Sequence, residues 1–302
     1  MKLVYLISAY KDPIHLKRLI SSLNEGAVSF YIHVDKKVDI NNFTSIIQSK
    51  NIFFIRKRYN ISWGTYSQVR SIFALIKAIL ANNDSNIDRV VLISAQDYPI
   101  MSNSEIIETF IKNPLKQYLI GYNVTHGITE QQNKINCYHF LEIKNLLIRK
   151  YITKIVNKTL QKKTQVLLNN RYVDVYTGSD YWALTYDCVD YIYKTYKKEH
   201  RLRNYFRFSF VPSESIVHTI VFNSEYKSNV EICEPQHYKG LYTCTPLHYI
   251  QYREHIKIFK LEDYDELANS GKMFFRKASS EESSDLLEKI DLDRAVQINI
   301  TK

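Results

Sequence analysis

The chain has 302 residues, of which 45% are hydrophobic, 24% charged and 13% aromatic, with a formal net charge of +10. That length and apolar content are enough for a full buried core, so disorder is excluded as the default. The longest apolar runs, Leu3 to Ala9 and Val90 to Ser94, fall far short of the roughly 20 residues that cross a bilayer, and no transmembrane span is predicted.

The run after Met1-Lys2 is also too short for a signal peptide and has no small-residue cleavage site, so it reads as the first core strand. Cys137, Cys188, Cys233 and Cys244 lie far apart with no C-x-x-C pair. They suggest neither a zinc site nor a disulfide framework, and a soluble chain in a reducing cytoplasm is expected. The positive charge calls for an anionic partner but does not choose among a nucleotide diphosphate, a lipid surface and a nucleic acid. It is concentrated between Lys144 and Tyr172, where eight basic residues (Lys144, Arg149, Lys150, Lys154, Lys158, Lys162, Lys163, Arg171) stand with no acidic one.

In chain order, Leu3 to Ser8 is a β-type run, and Tyr10-Lys11-Asp12-Pro13 is a turn whose proline opens a helix. Leu16, Leu19, Ile20 and Leu23 fall at helical spacing, and Ser29 to Val34 returns to a strand that ends at Asp35. Ile52 to Ile55 is a strand, Gln68 to Leu80 a helix with Val69, Ile72, Phe73, Ile76 and Ile79 on one face, and Arg89 to Ser94 a buried strand followed by Asp97. This alternation predicts an α/β fold with a mostly parallel central sheet flanked by helices. Asp35 and Asp97 would then lie at the carboxyl edge, where such sheets bind ligands.

Beyond Gly121 the periodicity weakens. Phe140 to Leu168 mixes aliphatic and basic residues and reads as an exposed helix, a basic insertion over about 140–172. Val173 to Leu184 reads as strand, turn and strand around Gly178-Ser179, and Cys188 to Tyr196 as a tyrosine-rich helix. Pro212-Ser213-Glu214 reads as a helix start with Ser213 as cap. His248 to Phe259 is strand-like, Glu262 to Ala268 a short helix, and Met273 to Lys277 an aromatic and basic turn or strand. The segment 279–302 reads as a polar, peripheral tail to a single domain over 1–278. Seven glycines form no phosphate loop of the P-loop or dinucleotide type.

Seven segments in order resemble the core-2/I-branching β-1,6-N-acetylglucosaminyltransferase family, which includes the peptide xylosyltransferases. They are Tyr5-Leu6-Ile7-Ser8-Ala9-Tyr10-Lys11-Asp12, Tyr31-Ile32-His33-Val34-Asp35-Lys36-Lys37, Ile61-Ser62-Trp63-Gly64 and Ser94-Ala95-Gln96-Asp97-Tyr98-Pro99-Ile100. Gly178-Ser179-Asp180-Tyr181-Trp182, Pro212-Ser213-Glu214 and Phe274-Phe275-Arg276-Lys277 complete the set, which spans roughly residues 3 to 278. The resemblance implies a GT-A-like nucleotide-sugar transferase fold, a UDP-sugar donor and a glycan acceptor. It also implies inverting chemistry, with donor binding that needs no metal or other cofactor.

Inverting displacement at an anomeric carbon needs a base for the acceptor hydroxyl, and a partly desolvated carboxylate can serve. Glu214 matches the family's Pro-Asp-Glu glutamate, with Ser213 in place of the aspartate; the alternative is that it complements a helix dipole. The departing diphosphate needs cations. Arg276-Lys277 matches the family segment whose lysine contacts the diphosphate, and Arg253 lies at the spacing of a second basic contact; each could instead be a solvated surface charge. Asp35 resembles the family aspartate near the nucleoside. Trp63 and Asp97 match further family positions, with core packing and turn capping as their respective alternatives, and Ser179 is a candidate near the sugar.

A literal Asp263-Tyr264-Asp265 offers a metal-dependent alternative, but it reads better as the acidic first turn of a short helix. A catalytically silent carbohydrate-binding relative is a further alternative. Nucleic acid is not expected, since no helix-turn-helix, zinc or RNA-module signature occurs. The basic stretch is read as either a solvated helix face or a contact with an anionic or lipid-linked glycan at a membrane surface.

Overall fold

The computed structural model describes residues 1–82, 84, 86–160, 162–234, 244–252 and 254–300, the last four of them by backbone only. Its first half runs β1 (Leu3–Ala9), α1 (Pro13–Leu23), β2 (Val28–Val34), α2 (Asn41–Thr44), β3 (Ile52–Phe54), α3 (Tyr66–Ala81), β4 (Arg89–Ser94), β5 (Asp97–Pro99) and α4 (Asn103–Lys112). The second half runs β6 (Ile120–Asn123), α5 (Thr129–Asn136), α6 (Leu146–Thr159), β7 (Gln165–Leu168), β8 (Arg171–Asp174), β9 (Tyr176–Gly178) and β10 (Trp182–Thr185). It closes with α7 (Tyr186–Lys198), α8 (His200–Phe206), α9 (Ser213–Phe222), β11 (Glu231–Ile232), β12 (His248–Ile250), α10 (Tyr264–Ala268), β13 (Phe274–Arg276) and α11 (Ser284–Ile300).

The central sheet has the order β10-β4-β1-β2-β3. Pairing is parallel throughout except for β10, which runs antiparallel to β4. This is the α/β architecture expected from the alternation of strands and helices, because parallel neighbours require a crossover and the helices supply it. Side chains of β1 alternate between two apolar cores: Val4 and Leu6 pack with α3, α7 and α9 on one face, and Leu3, Tyr5 and Ile7 with α1 and α11 on the other. Burial on both faces explains why β1 and β4 read as continuous apolar runs.

Local chemistry fixes the element ends that reach the functional edge. Pro13 is the first residue of α1, and the Asp12 carboxylate accepts the His15 backbone N–H at 3.0 Å, which caps the helix. Asp12 also accepts from the backbone and hydroxyl of Ser280. A turn predicted from four residues therefore also anchors the far end of the chain.

Three expectations are corrected. The stretch 140–172 is not one helix: after α6, residues 165–174 form a hairpin of β7 and β8. Asn169 and Asn170, both with left-handed φ (48° and 60°), make its two-residue turn. Likewise the strands on either side of Gly178-Ser179 do not pair with each other, since β9 joins β6 and β10 joins β4. Nor is the segment after Ser279 peripheral. Leu286, Leu287 and Ile290 on α11 are buried, Asp291 accepts from Arg18 and from the Tyr98 hydroxyl, and Arg294 donates to Met101, Ser22 and Asn103. Its polar residues misled because they are partnered inside the fold rather than hydrated. Leu287→Ala is accordingly expected to cost about 2–5 kcal/mol in urea unfolding, as core truncations do; a loss below about 0.5 kcal/mol, the size of a surface substitution, would contradict the packing of α11.

Candidate functional site

The carboxyl ends of β1, β2 and β4 lie side by side, and a cleft of about 460 Å³ opens there. This volume is within the ordinary range of small-molecule sites, roughly 300–1,000 Å³. Ser8, Tyr10, Asp35 and Ser94 line it from the sheet edge, Trp63 from the loop before α3, Asp180 and Tyr181 from the turn before β10, and Arg276 and Lys277 from the end of β13.

Asp97 organises one wall. Register places it opposite Arg276 across the β5–β13 pair. One carboxylate oxygen accepts Arg276 Nη1 at 2.9 Å; the other accepts the Ser94 backbone N–H at 2.7 Å and lies 2.9 Å from His248 Nε2. The Asp97 side chain and that of His248 are fully buried. Burial alone would raise the Asp97 carboxyl, but His248, Arg276 and the Ser94 bond outweigh it and hold the group below its ordinary value. Asp97 does not line the cleft. The donor-binding role expected for it is therefore corrected: it is a positioning residue, since every oxygen facing its neighbours is committed to them.

The cations do face the cleft. Arg276 is held by Asp97 and lies 5.3 Å from the Tyr181 ring centroid, which leaves most of its fixed fork of donors for a ligand. The Lys277 ammonium bonds no described residue, and burial together with the nearby charges of Arg276 and Lys11 lowers its pKa. Cations crowded in this way are ready to receive an anion. Arg253, the other expected contact, lies outside the described residues.

At the end of β2, Asp35 is buried and accepts the backbone N–H groups of Lys37 (2.9 Å) and Ile61 (3.3 Å), with Lys37 Nζ at 3.4 Å. It thus stitches the end of β2 to the loop that carries Trp63. Beside it His33 accepts the Tyr59 N–H, and burial lowers its pKa to about 4, so it is neutral at physiological pH. Trp63 is 71% exposed and meets Phe210 edge-on at 5.3 Å. Of its two readings, the core one is set aside and the cleft-wall one stands.

Two further carboxylates, Asp180 and Glu214, act on each other here, and of the two only Asp180 lines the cleft. Burial raises the pKa of Asp180 to about 6 against the lowering effects of the Ser213 bond and Arg276. Glu214, in the first turn of α9, is half-buried, and burial followed by repulsion from Asp180 pushes its pKa well above the usual carboxylate value. Its carboxylate bonds no described residue. Ser213 is not the helix cap: it is the first residue of α9, and its hydroxyl donates to Asp180 at 3.3 Å. The turn into the helix is set by Val211, whose φ of 44° is left-handed. For a β-branched residue this costs roughly 1–3 kcal/mol of local strain.

Ser179 does not line the cleft either. Its hydroxyl accepts the Tyr181 N–H at 3.3 Å and shapes the turn that presents Asp180. The preceding glycine is required by space, because a Cβ on Gly178 would lie 2.1 Å from the Ile120 carbonyl and 2.5 Å from His218 Nε2. Asp180 is the residue that the sequence reading passed over, although the Gly-Ser-Asp motif contained it. His248 was also missed, because a lone histidine in a short strand carries no signal without its partner Asp97.

The Asp263-Tyr264-Asp265 pair lies away from the cleft. Asp263 accepts from Lys257 Nζ and the Lys260 backbone N–H, and Asp265 is an exposed residue of α10.

The model of the Core-2/I-branching enzyme family matches residues 3–266. The chain belongs to that family. Xylosyltransferase 2 of Rattus norvegicus is 23% identical over 230 residues, 74% of this chain and 25% of that protein. Xylosyltransferase oxt of Drosophila melanogaster is 25% identical over 218 residues, 69% of this chain and 23% of that protein. This Core-2/I-branching family chain thus spans about a quarter of the length of these curated relatives. Among solved structures, glucosyl-3-phosphoglycerate synthase from Mycobacterium tuberculosis is 10% identical over 77% of this chain and 69% of that one, with a TM-score of 0.36.

Two stability outcomes follow from the geometry. Asp97→Ala strands Arg276 and His248 in the interior and is expected to destabilise by about 3–5 kcal/mol in urea unfolding. Asp180 behaves oppositely. Its folded pKa is raised, so its ionisation costs stability as pH rises from the ordinary carboxyl range to about 6, and the cost persists above that. Asp180→Asn should therefore raise Tm above about pH 7 and have little effect below about pH 4. A Tm gain that is equal at both pH values would contradict a buried, ionising Asp180.

Proposed function

We propose that this chain transfers a sugar from a UDP-sugar to a glycan hydroxyl with inversion, and does so without a metal held by an Asp-x-Asp pair. The observation that carries the reading is the meeting, at one cleft on the carboxyl edge of the sheet, of two cationic groups (Arg276, held by Asp97, and Lys277) with the high-pKa carboxyl of Asp180, whose charge in turn raises the pKa of Glu214. Glu214 takes the acceptor hydroxyl's proton as the new C–O bond forms, and the bond from the anomeric carbon to the diphosphate breaks. UDP leaves with the electron pair, its charge met by Lys277 and Arg276. Asp35 and Trp63, which line the same cleft, are read as the nucleoside contacts. N-acetylglucosamine is the favoured sugar from the branching-enzyme resemblance, with xylose, named by the relatives, as the second.

Metal independence is supported by where the carboxylates are. Asp263 is engaged by Lys257 and the Lys260 N–H, away from the cleft, whereas cations stand at the cleft itself. Thermal stabilisation and turnover should be screened with UDP-N-acetylglucosamine and UDP-xylose, with and without a chelator. Activity retained in chelator is expected; activity abolished by it would remove the metal clause, and no response to any nucleotide sugar would remove the whole reading.

Glu214→Gln should lower kcat by about 10²–10⁴-fold, the ordinary worth of a general base, while UDP still raises Tm. The acidic limb of kcat/KM should lie above the ordinary carboxylate range, because Glu214 must lose a proton that burial and Asp180 help it retain. Removing the Asp180 charge in Asp180→Asn should move that limb to lower pH. An unmoved limb would mean that Glu214 is not the titrating base.

A further inference from the structure

α6 is a helix with apolar residues on two sides: Ile152 and Val156 are half-buried, and a second apolar row faces outward. Surface helices ordinarily turn their apolar stripe to the core, yet no residue of α6 is fully buried. Beside these half-buried residues, Asn157 ties the helix to the protein, donating to the Tyr138 carbonyl at 2.9 Å and accepting the Tyr138 N–H at 2.7 Å. Asn145 caps its start by accepting from Leu147 and Ile148. Facing outward are Leu147 (79% exposed), Tyr151 (68%) and Ile155 (44%). These are spaced four apart and so form one row along the helix. Lys150, Lys154 and Lys158, also four apart, make a second row beside it, and no acidic residue occurs from Lys144 to Tyr172.

We propose that α6 is a peripheral anchor that lies on an anionic bilayer surface, with Leu147, Tyr151 and Ile155 entering the acyl boundary and the lysine row at the headgroups. Single exposed apolar residues are ordinary; a continuous apolar row bordered by an all-basic one is the pattern of an interfacial helix. A soluble polyanion or nucleic acid would use the lysines and leave the apolar row in water, whereas a bilayer uses both. No helix among the described residues is long and apolar enough to cross a membrane, so the contact is a surface one.

The anchor is also close to the chemistry. Residues 139–141 and the row of Lys150, Lys154 and Lys158 line an open groove of about 560 Å³. Leu141 packs on Gly64 at the cleft rim, where a Cβ would come within 3.0 Å of it. Next to Gly64, Trp63 meets Phe210, against which His139 also packs. A bilayer under α6 would hold lipid-borne acceptors beside the cleft mouth.

The test is vesicle flotation of the full chain with phosphatidylcholine alone and with phosphatidylcholine containing phosphatidylglycerol. Binding is expected only to the anionic vesicles and should weaken with salt. Each lysine at such a surface is worth about fivefold in affinity, so Lys150→Gln, Lys154→Gln and Lys158→Gln together should weaken it about 100-fold. Leu147→Ser, Tyr151→Ser and Ile155→Ser together should abolish it. The proposal is overturned if the wild-type chain ignores anionic vesicles, if it binds neutral ones equally, or if either triple variant binds like wild type. Loss in the lysine variant alone would point to a soluble polyanion and also overturns it. The far-ultraviolet melting curve, unchanged in both variants because all six side chains are exposed, separates lost binding from lost folding. The inference stands apart from the reading of the cleft, since vesicle binding needs no donor.

Discussion

A single buried carboxylate, Asp97, holds together the parts from which the cleft is made. It sits just beyond β4, takes the Ser94 N–H of that strand, and is approached by Arg276 from β13 and His248 from β12. Three segments far apart in the chain are thereby fixed at one edge of the central sheet. A buried charge of this kind is costly unless it is fully partnered, and here it is. That cost, offset by the partners, specifies where β13 ends and hence where Arg276 and Lys277 face.

The carboxylates Asp180 and Glu214 follow a different principle. They are close enough to repel each other, burial disfavours the ionised form of both, and the backbone at Val211 is left-handed. Stability is given up locally to keep a carboxylate proton-hungry and short of partners, which is the condition of a base rather than of a structural residue. The two arrangements are complementary. In one a cation is held rigidly by a committed anion, and in the other the Glu214 carboxyl bonds no described residue.

Much of this was legible in one dimension. Apolar runs of the right length, with proline and aspartate at helix starts, gave β1, α1, β2, α3 and β4 to within two residues, because local propensity and two-sided burial act on contiguous residues. The ordered short motifs located Asp35, Trp63, Arg276, Lys277 and Glu214 at or beside one cleft. The errors share a cause. The hairpin of β7 and β8 was hidden among basic residues, α11 was taken for a tail because its charges find partners in the fold, and Ser213 was read as a cap by local rule although its hydroxyl goes to Asp180.

The sequence by itself therefore determined the strand and helix alternation, the carboxyl-edge position of Asp35 and Asp97, and the chemistry of the residues available. Only the tertiary structure decided which of them face the ligand. Asp97 and Ser179 turn away from the cleft into positioning bonds, Asp180 turns toward it, and the apolar row of α6 turns to solvent. The physical reason is that a polar side chain's role depends on whether its hydrogen-bonding and charge capacity is already used by neighbours brought from elsewhere in the chain, and those neighbours are a property of the fold.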